Sequence, residues 1–314
     1  MTTRQPAKIG YLGPAGTFTE EALLTQDDLA TQELMPFGSI DAVLEAVTIG
    51  QVEMGFVPIE NSIEGTVSAT IDSLIFDHEL LIVREVIIDI HLHLVGTPGT
   101  KLAEVEEIWS YPHAIGQCRR FASTRVPTAI LKASNSTADA ARLVAEAHDP
   151  RVAAIAPKMA AEIYHLEIIE ANIEDHSDNQ TRFILLRKEK IPRPTGGDKT
   201  AVVCFQRSDQ PGSLFSILAE FYARNINLTK LESRPSKRGL GQYCFAIEFE
   251  GHLADHDVAD TLVGLKRKLA DVKFLGSFAN CSAPTRPEPG HSPQSDPAWS
   301  WLSSIRRQID EGAD

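Results

Sequence analysis

The chain has 314 residues, 43% hydrophobic and 23% charged, with 43 Asp and Glu against 30 Lys and Arg for a formal charge of -13. That length suits two or three folded units, and the composition excludes the disordered, fibrous and membrane classes. The acidity argues against a nucleic-acid surface and requires any anionic ligand to be held by local donors, because the overall field repels it.

The opening residues, MTTRQPAKIGYLG, lack the apolar stretch of a secretory signal, and no later run reaches membrane-spanning length. Cys118, Cys204, Cys244 and Cys281 form no CxxC pair, which predicts reduced thiols in the cytoplasm and neither a zinc nor a dithiol motif.

In chain order, Lys8 to Leu12 reads as a strand, followed by Gly13, Pro14, Ala15, Gly16 and a helix whose Thr17 and Glu20 form a capping box. Ser39 caps a helix over Ile40 to Ile49, Gly50 stops it, and Met54 to Val57 is a short buried strand. Val86 to Val95 is expected to be extended, Ile108 to Tyr111 to be a strand, and Ala114 to Ala122 to be helical. Strands at Ile130 to Lys132 and Val152 to Ile155 flank a helix over Thr137 to His148 capped by Ser136, and another helix opens at Pro157. This alternation predicts parallel sheet covered by helices, with ligands beyond the carboxyl ends of the strands.

Pro192 to Gly197 is a helix-breaking stretch that predicts a domain boundary, with a linker over 191–199. Strands at Thr200 to Arg207, Asn227 to Ser233, Tyr243 to Glu250 and Val272 to Phe278, with helices at Ser213 to Arg224 and Asp255 to Ala270, give a ferredoxin-like βαββαβ order over 200–281. From residue 282 the chain is rich in proline and polar residues and predicts a flexible tail to 314, although Trp299, Trp301, Leu302 and Ile305 have the spacing of a short docking helix.

Three segments carry candidate chemistry. GPAGTFTE from Gly13 offers accessible backbone and a helix opening, features that an ordinary strand-to-helix turn also has. VPIENSIEG from Val57 groups Glu60, Asn61 and Ser62 after a short apolar strand, where Asn61 and Ser62 could equally cap the next helix. DNQTRF from Asp178 sets the Thr181 hydroxyl beside Arg182, just before the apolar strand that begins at Phe183. His91 and His93 could be metal ligands but lack a third partner, so a solvated strand face is expected, and Cys118 reads as a small buried side chain.

The order GPxGTF, VPIENSxEG, TRF is similar to the catalytic region of prephenate dehydratases. The resemblance implies a two-lobed, periplasmic-binding-protein-like α/β catalytic region over 7–190 with a cleft between its lobes, to whose first lobe the chain returns near Thr181. It also implies decarboxylating dehydration of prephenate to phenylpyruvate, without cofactor or metal. By this likeness Thr181 contacts the leaving hydroxyl, Asn61 and Gln117 belong to the catalytic set with Glu60 as acid or positioning partner, and Thr17, Ser62, Arg182 and Phe183 help to bind substrate. Where many relatives have His-Pro-Gln, this chain has Tyr111, Pro112, His113, and His113 is left outside the set.

GSLF from Gly212 and ESRP from Glu232 are similar to the phenylalanine-binding motifs of ACT domains. That likeness assigns L-phenylalanine as feedback effector to Gly212, Ser213, Leu214, Asn227, Glu232, Ser233, Arg234 and Pro235. It also implies a homodimer or homotetramer built through paired ACT domains. Competing readings are arogenate dehydratase and a non-catalytic amino-acid sensor, with neither nucleic acid nor membrane as partner.

Overall fold

In the computed structural model, residues 6–237, 239, 241–281, 301 and 304 are described. Contacts divide the chain at 190/191 into two units. The expected tail from 282 lies outside the described residues save for Trp301 and Ser304.

The first unit begins with β1 (Lys8–Leu12), α1 (Phe18–Leu24), α2 (Asp27–Ala30), β2 (Glu33–Phe37), α3 (Ile40–Thr48), β3 (Met54–Asn61), β4 (Gly65–Thr66), α4 (Ser68–Phe76) and β5 (Leu81–Asp89). It continues with β6 (His93–Gly96), β7 (Glu107–Ser110), α5 (Pro112–Gln117), α6 (Arg119–Arg125), β8 (Ile130–Ala133), α7 (Thr137–Ala147), β9 (Val152–Ala156), α8 (Lys158–Ile163), β10 (Glu167–Glu170) and β11 (Gln180–Arg187). Two sheets result, β2-β1-β3-β11-β5 with β4 on β3, and β10-β6-β9-β7-β8. Each is the spine of one lobe.

The capping residues act locally, as the sequence predicts: Ser39 Oγ accepts from Ala42 N at 3.1 Å and Ser136 Oγ from Asp139 N at 2.9 Å. Thr17 Oγ1 accepts from Glu20 N at 3.4 Å, but the Glu20 carboxylate reaches one residue further, to Gly16 N at 2.6 Å. Gly16 has φ +85, and a Cβ there would lie 3.1 Å from Ala160 Cα, so glycine is required where this loop meets α8.

Two expectations change. The sheets are mixed rather than parallel: β1 runs parallel to β2 and β3, whereas β11 is antiparallel to both β3 and β5, because it re-enters the first lobe from the second. Likewise Val86 to Val95 is two strands in two sheets. Between them Ile90 N donates to Asn179 O and Leu92 N to Glu174 Oε2, which ties the outgoing crossover to the returning one. Buried Ile9, Tyr11, Phe56, Phe183 and Leu185 fill the first lobe. In the second, Leu94, Ile108 and Ile155 form one core and alanines 140, 154 and 160 let α7 and α8 sit close to the sheet.

The second unit consists of β12 (Asp198–Phe205), α9 (Ser213–Tyr222), β13 (Leu228–Pro235), β14 (Tyr243–Glu250), α10 (His256–Lys268) and β15 (Asp271–Ala279). Its antiparallel sheet runs β13-β14-β12-β15, which realises the βαββαβ plan with β13 at an edge. The first strand starts two residues before Thr200, and Pro235 closes β13, tolerated there because an edge strand has one unpaired side. Ile217, Phe221, Phe245, Ile247 and Phe249 make the core between sheet and helices.

Candidate active site and effector region

β11 aligns with β3 so that Thr181 faces Asn61 and Arg182 faces Glu60, with a bulge before Phe183. Successive strand residues point to opposite sides of the sheet. The four residues grouped by sequence therefore separate into two pairs, one on each face.

On the first face, Asn61 Oδ1 accepts from the backbone N–H groups of Ile63 and Glu64, both at 3.0 Å. Those donors fix the orientation of the amide, since only its oxygen can accept. Asn61 Nδ2 then donates to Thr181 Oγ1 at 2.8 Å and to Asn179 Oδ1 at 2.8 Å. Asn179 Nδ2 donates to Gln117 Oε1 at 3.0 Å, and Gln117 Nε2 to Glu64 Oε1 at 3.3 Å. Ser62 Oγ accepts from Gln180 N at 2.9 Å and donates to Asn179 Oδ1 at 3.4 Å. Direction propagates along this chain of bonds, and Thr181 receives a hydrogen bond while keeping its own O–H to give.

Asn61 thus organises a hairpin turn between β3 and β4 rather than a helix cap. The following helix α4 has Val67 at its N-cap and no side-chain cap bond. Gln117 comes from α5 of the second lobe and Glu64 from the hairpin of the first, so the Gln117 to Glu64 bond bridges the cleft.

On the opposite face, Arg182 lies between Glu60, at 3.5 Å, and Glu85, at 3.5 Å, with side chains 11% exposed for Arg182 and 0% for Glu85. The arginine is neither a surface cation nor part of the Thr181 group. Phe183, expected to help bind substrate, is 1% exposed and stacks on Phe56 with ring centroids 5.5 Å apart, a core position. Thr17 is buried, and its hydroxyl donates to Leu12 O at 3.1 Å.

His91 and His93 do not form a solvated strand face. His91 Nδ1 pairs with Glu174 Oε1 at 3.0 Å, while His93 is buried, and burial pushes its pKa down. No group of three potential metal ligands occurs among the described residues. Cys118 is wholly buried, and burial pushes its thiol pKa up, away from nucleophilic reactivity.

The hydrogen-bonded group also contains Asn179 and Glu64, which the sequence reading did not select, and His113, which it left outside the set. Asn179 is 1% exposed and two residues before Thr181, a spacing that could have marked it as a same-side neighbour at the strand entrance.

In the second unit, α9 opens after Gly212, whose φ of +87 suits glycine, and no side chain caps it. With Gly212 at the N-cap, Asp209 stands outside the helix. Ser213 Oγ accepts from Gln210 N at 3.1 Å and donates to Ser208 O at 3.3 Å, and Leu214 packs on the core. On β13, Ser233 and Pro235 align with Phe245 and Tyr243 on the helix side, whereas Glu232 and Arg234 align with Ala246 and Cys244 on the other side and pair at 3.2 Å. Asn227 is exposed just before β13. A pocket lined by Ser208, Asp209, Ser236 and Tyr243 adjoins these segments.

The prephenate dehydratase family profile matches residues 9–191, and the ACT domain profile matches 200–267. A prephenate dehydratase of Amycolatopsis methanolica is 37% identical over 96% of this chain and 98% of its own. A crystal structure of prephenate dehydratase in complex with L-Phe from Arthrobacter aurescens shares 39% identity, with a TM-score of 0.85 over 96% of this chain and 99% of that one. GqqA, described as a novel type of quorum quenching acylase, shares 27% identity, with a TM-score of 0.79 over 89% of this chain and all of its own.

Proposed function

This chain belongs to the prephenate dehydratase family, carries an ACT domain, and, we propose, converts prephenate to phenylpyruvate, water and carbon dioxide for L-phenylalanine synthesis, with L-phenylalanine as feedback effector. The reaction is redox-neutral. The ring carboxylate leaves as carbon dioxide, its bonding electrons enter the ring, and the ring expels hydroxide as it becomes aromatic.

The observation that carries this reading is the bond from Asn61 Nδ2 to Thr181 Oγ1 at 2.8 Å. It leaves the threonine O–H as donor, where a hydrogen bond to the departing oxygen lowers the cost of the charge that develops there. Asn179 and Gln117 hold Asn61, and the hydroxide is neutralised to water by a proton that comes ultimately from solvent. Ser62 and the Gly13 to Thr17 loop are assigned to positioning the substrate carboxylates. Glu60 and Arg182, in this reading, act from the far face of the sheet by holding β3 against β11 rather than by touching substrate.

For the effector, Gly212, Ser213 and Leu214 supply an accessible helix opening, and Asn227 with Glu232 to Pro235 supplies the neighbouring edge strand. The solved relative with L-Phe bound supports this assignment. The edge position of β13 supports side-by-side pairing of ACT domains in a homodimer or homotetramer. Cytoplasmic placement accords with cysteines that form no CxxC pair. No described helix is long and apolar enough to cross a membrane.

The test offers purified protein prephenate and arogenate separately and follows phenylpyruvate and phenylalanine. Turnover of prephenate sustains the proposal. Preference for arogenate redirects it, and phenylalanine binding without turnover of either supports the sensor. Hydrolysis of an N-acyl amide in place of dehydration would align the chain with the acylase instead.

A further inference from the structure

His113 lies outside the residues by which the family was recognised, yet it joins the network that ends at Thr181. Its Nδ1 is 2.8 Å from Glu64 Oε2, while the other carboxylate oxygen, Oε1, receives the Gln117 amide at 3.3 Å. His113 and Gln117 are four residues apart on α5, so both present to the same side of that helix, and one carboxylate spans them. The Tyr111 ring stacks on His113, with centroids 5.2 Å apart and planes 12° from parallel. Glu64 belongs to the β3 to β4 hairpin of the first lobe and its two partners to the second.

We propose that His113 is a positioning residue that clasps Glu64 across the cleft, satisfying one carboxylate oxygen so that the other receives Gln117 and holds the amide chain leading to Thr181. This rests on prephenate as substrate. Prephenate carries two carboxylates, and a Glu64 released from His113 is an anion free to turn toward them. Like charges in a partly desolvated cleft repel, so losing the clasp weakens substrate binding more than it slows the chemical step.

The experiment measures kcat and KM for prephenate in the wild type, His113→Ala, Glu64→Gln and the double variant. The expected result is a KM raised about tenfold in His113→Ala with kcat within about threefold. Adding Glu64→Gln should bring KM most of the way back, because it removes the released charge. An unchanged KM in His113→Ala, or a double variant no better than that single one, overturns the proposal, since a merely structural loss would not be relieved by a second substitution. A wild type that does not turn over prephenate sinks the functional reading instead, and the clasp is then decided by the side-chain amide NMR signal of Gln117. His113→Ala should shift that signal, and an unmoved signal refutes the clasp.

Discussion

Asn61 and Thr181, 120 residues apart in sequence, are register partners on β3 and β11, and the amide of one donates to the hydroxyl oxygen of the other at 2.8 Å. The amide's orientation is dictated by backbone donors from Ile63 and Glu64, so the threonine proton is left to point elsewhere.

Replacing Thr181 by valine keeps the shape and removes that proton. We expect kcat to fall by about 10²- to 10³-fold, the usual loss on deleting one oxyanion-type donor, with thermal melting within a few degrees of the wild type. Phenylpyruvate formation and circular dichroism check both halves, and retention of most activity would remove Thr181 from the mechanism.

Asn179 is buried and makes bonds to both Asn61 and Gln117. Its replacement by alanine takes one hydrogen-bond partner from each of those amides and should destabilise the protein by about 1–3 kcal/mol, together with a loss of kcat. Urea unfolding at neutral pH measures the first effect. A variant as stable and as active as the wild type would show that the network is incidental.

Arg182→Met removes the guanidinium 3.5 Å from Glu85, whose side chain is 0% exposed. Breaking a buried ion pair from one side costs about 3–5 kcal/mol, so a large fall in denaturant midpoint is expected. Activity per folded molecule should drop less than in Thr181→Val, because Arg182 sits on the opposite face. Equal losses would mean that arginine reaches substrate.

Glu21 has a buried Oε2 without a hydrogen-bond partner, and burial raises its pKa, with His91 opposing. A carboxyl whose pKa is raised on folding stabilises the native state at low pH, where it is protonated, and that contribution is lost as pH rises through the folded pKa. Glu21→Gln should therefore raise the melting temperature at pH 8 and make little difference at pH 4. The opposite ordering would contradict the burial argument.

Phenylalanine at a hundredfold excess over its dissociation constant should stabilise the protein by about 2.7 kcal/mol through mass action and lower the initial rate. Gly212→Ala, strained at φ +87, should weaken the response while leaving the uninhibited rate intact. Differential scanning fluorimetry and rate assays with and without phenylalanine decide it. No change in either would separate the ACT domain from phenylalanine control.

Where local chemistry governs, the residues were legible in advance. Ser39 and Ser136 cap the helices they were expected to cap, and the βαββαβ order of the second unit follows from period and turn residues alone. The motif order also pointed to the family. Less legible were Val86 to Val95, which breaks at the crossover between sheets, and Phe183, which sits in a motif yet serves the core.

The sequence by itself determined which residue types were available at the site: amides, hydroxyls, a carboxylate and one arginine, spaced along the chain. Tertiary structure alone decided their partnership. Side-chain direction reverses at every strand residue, so the register of β3 against β11 sent Asn61 and Thr181 to one face and Glu60 and Arg182 to the other. That register is set by contacts more than a hundred residues apart, and the same long-range folding brought Asn179, Gln117, Glu64 and His113 into one hydrogen-bonded chain. No local pattern encodes such a meeting, because it depends on where two lobes place their strand ends and loops.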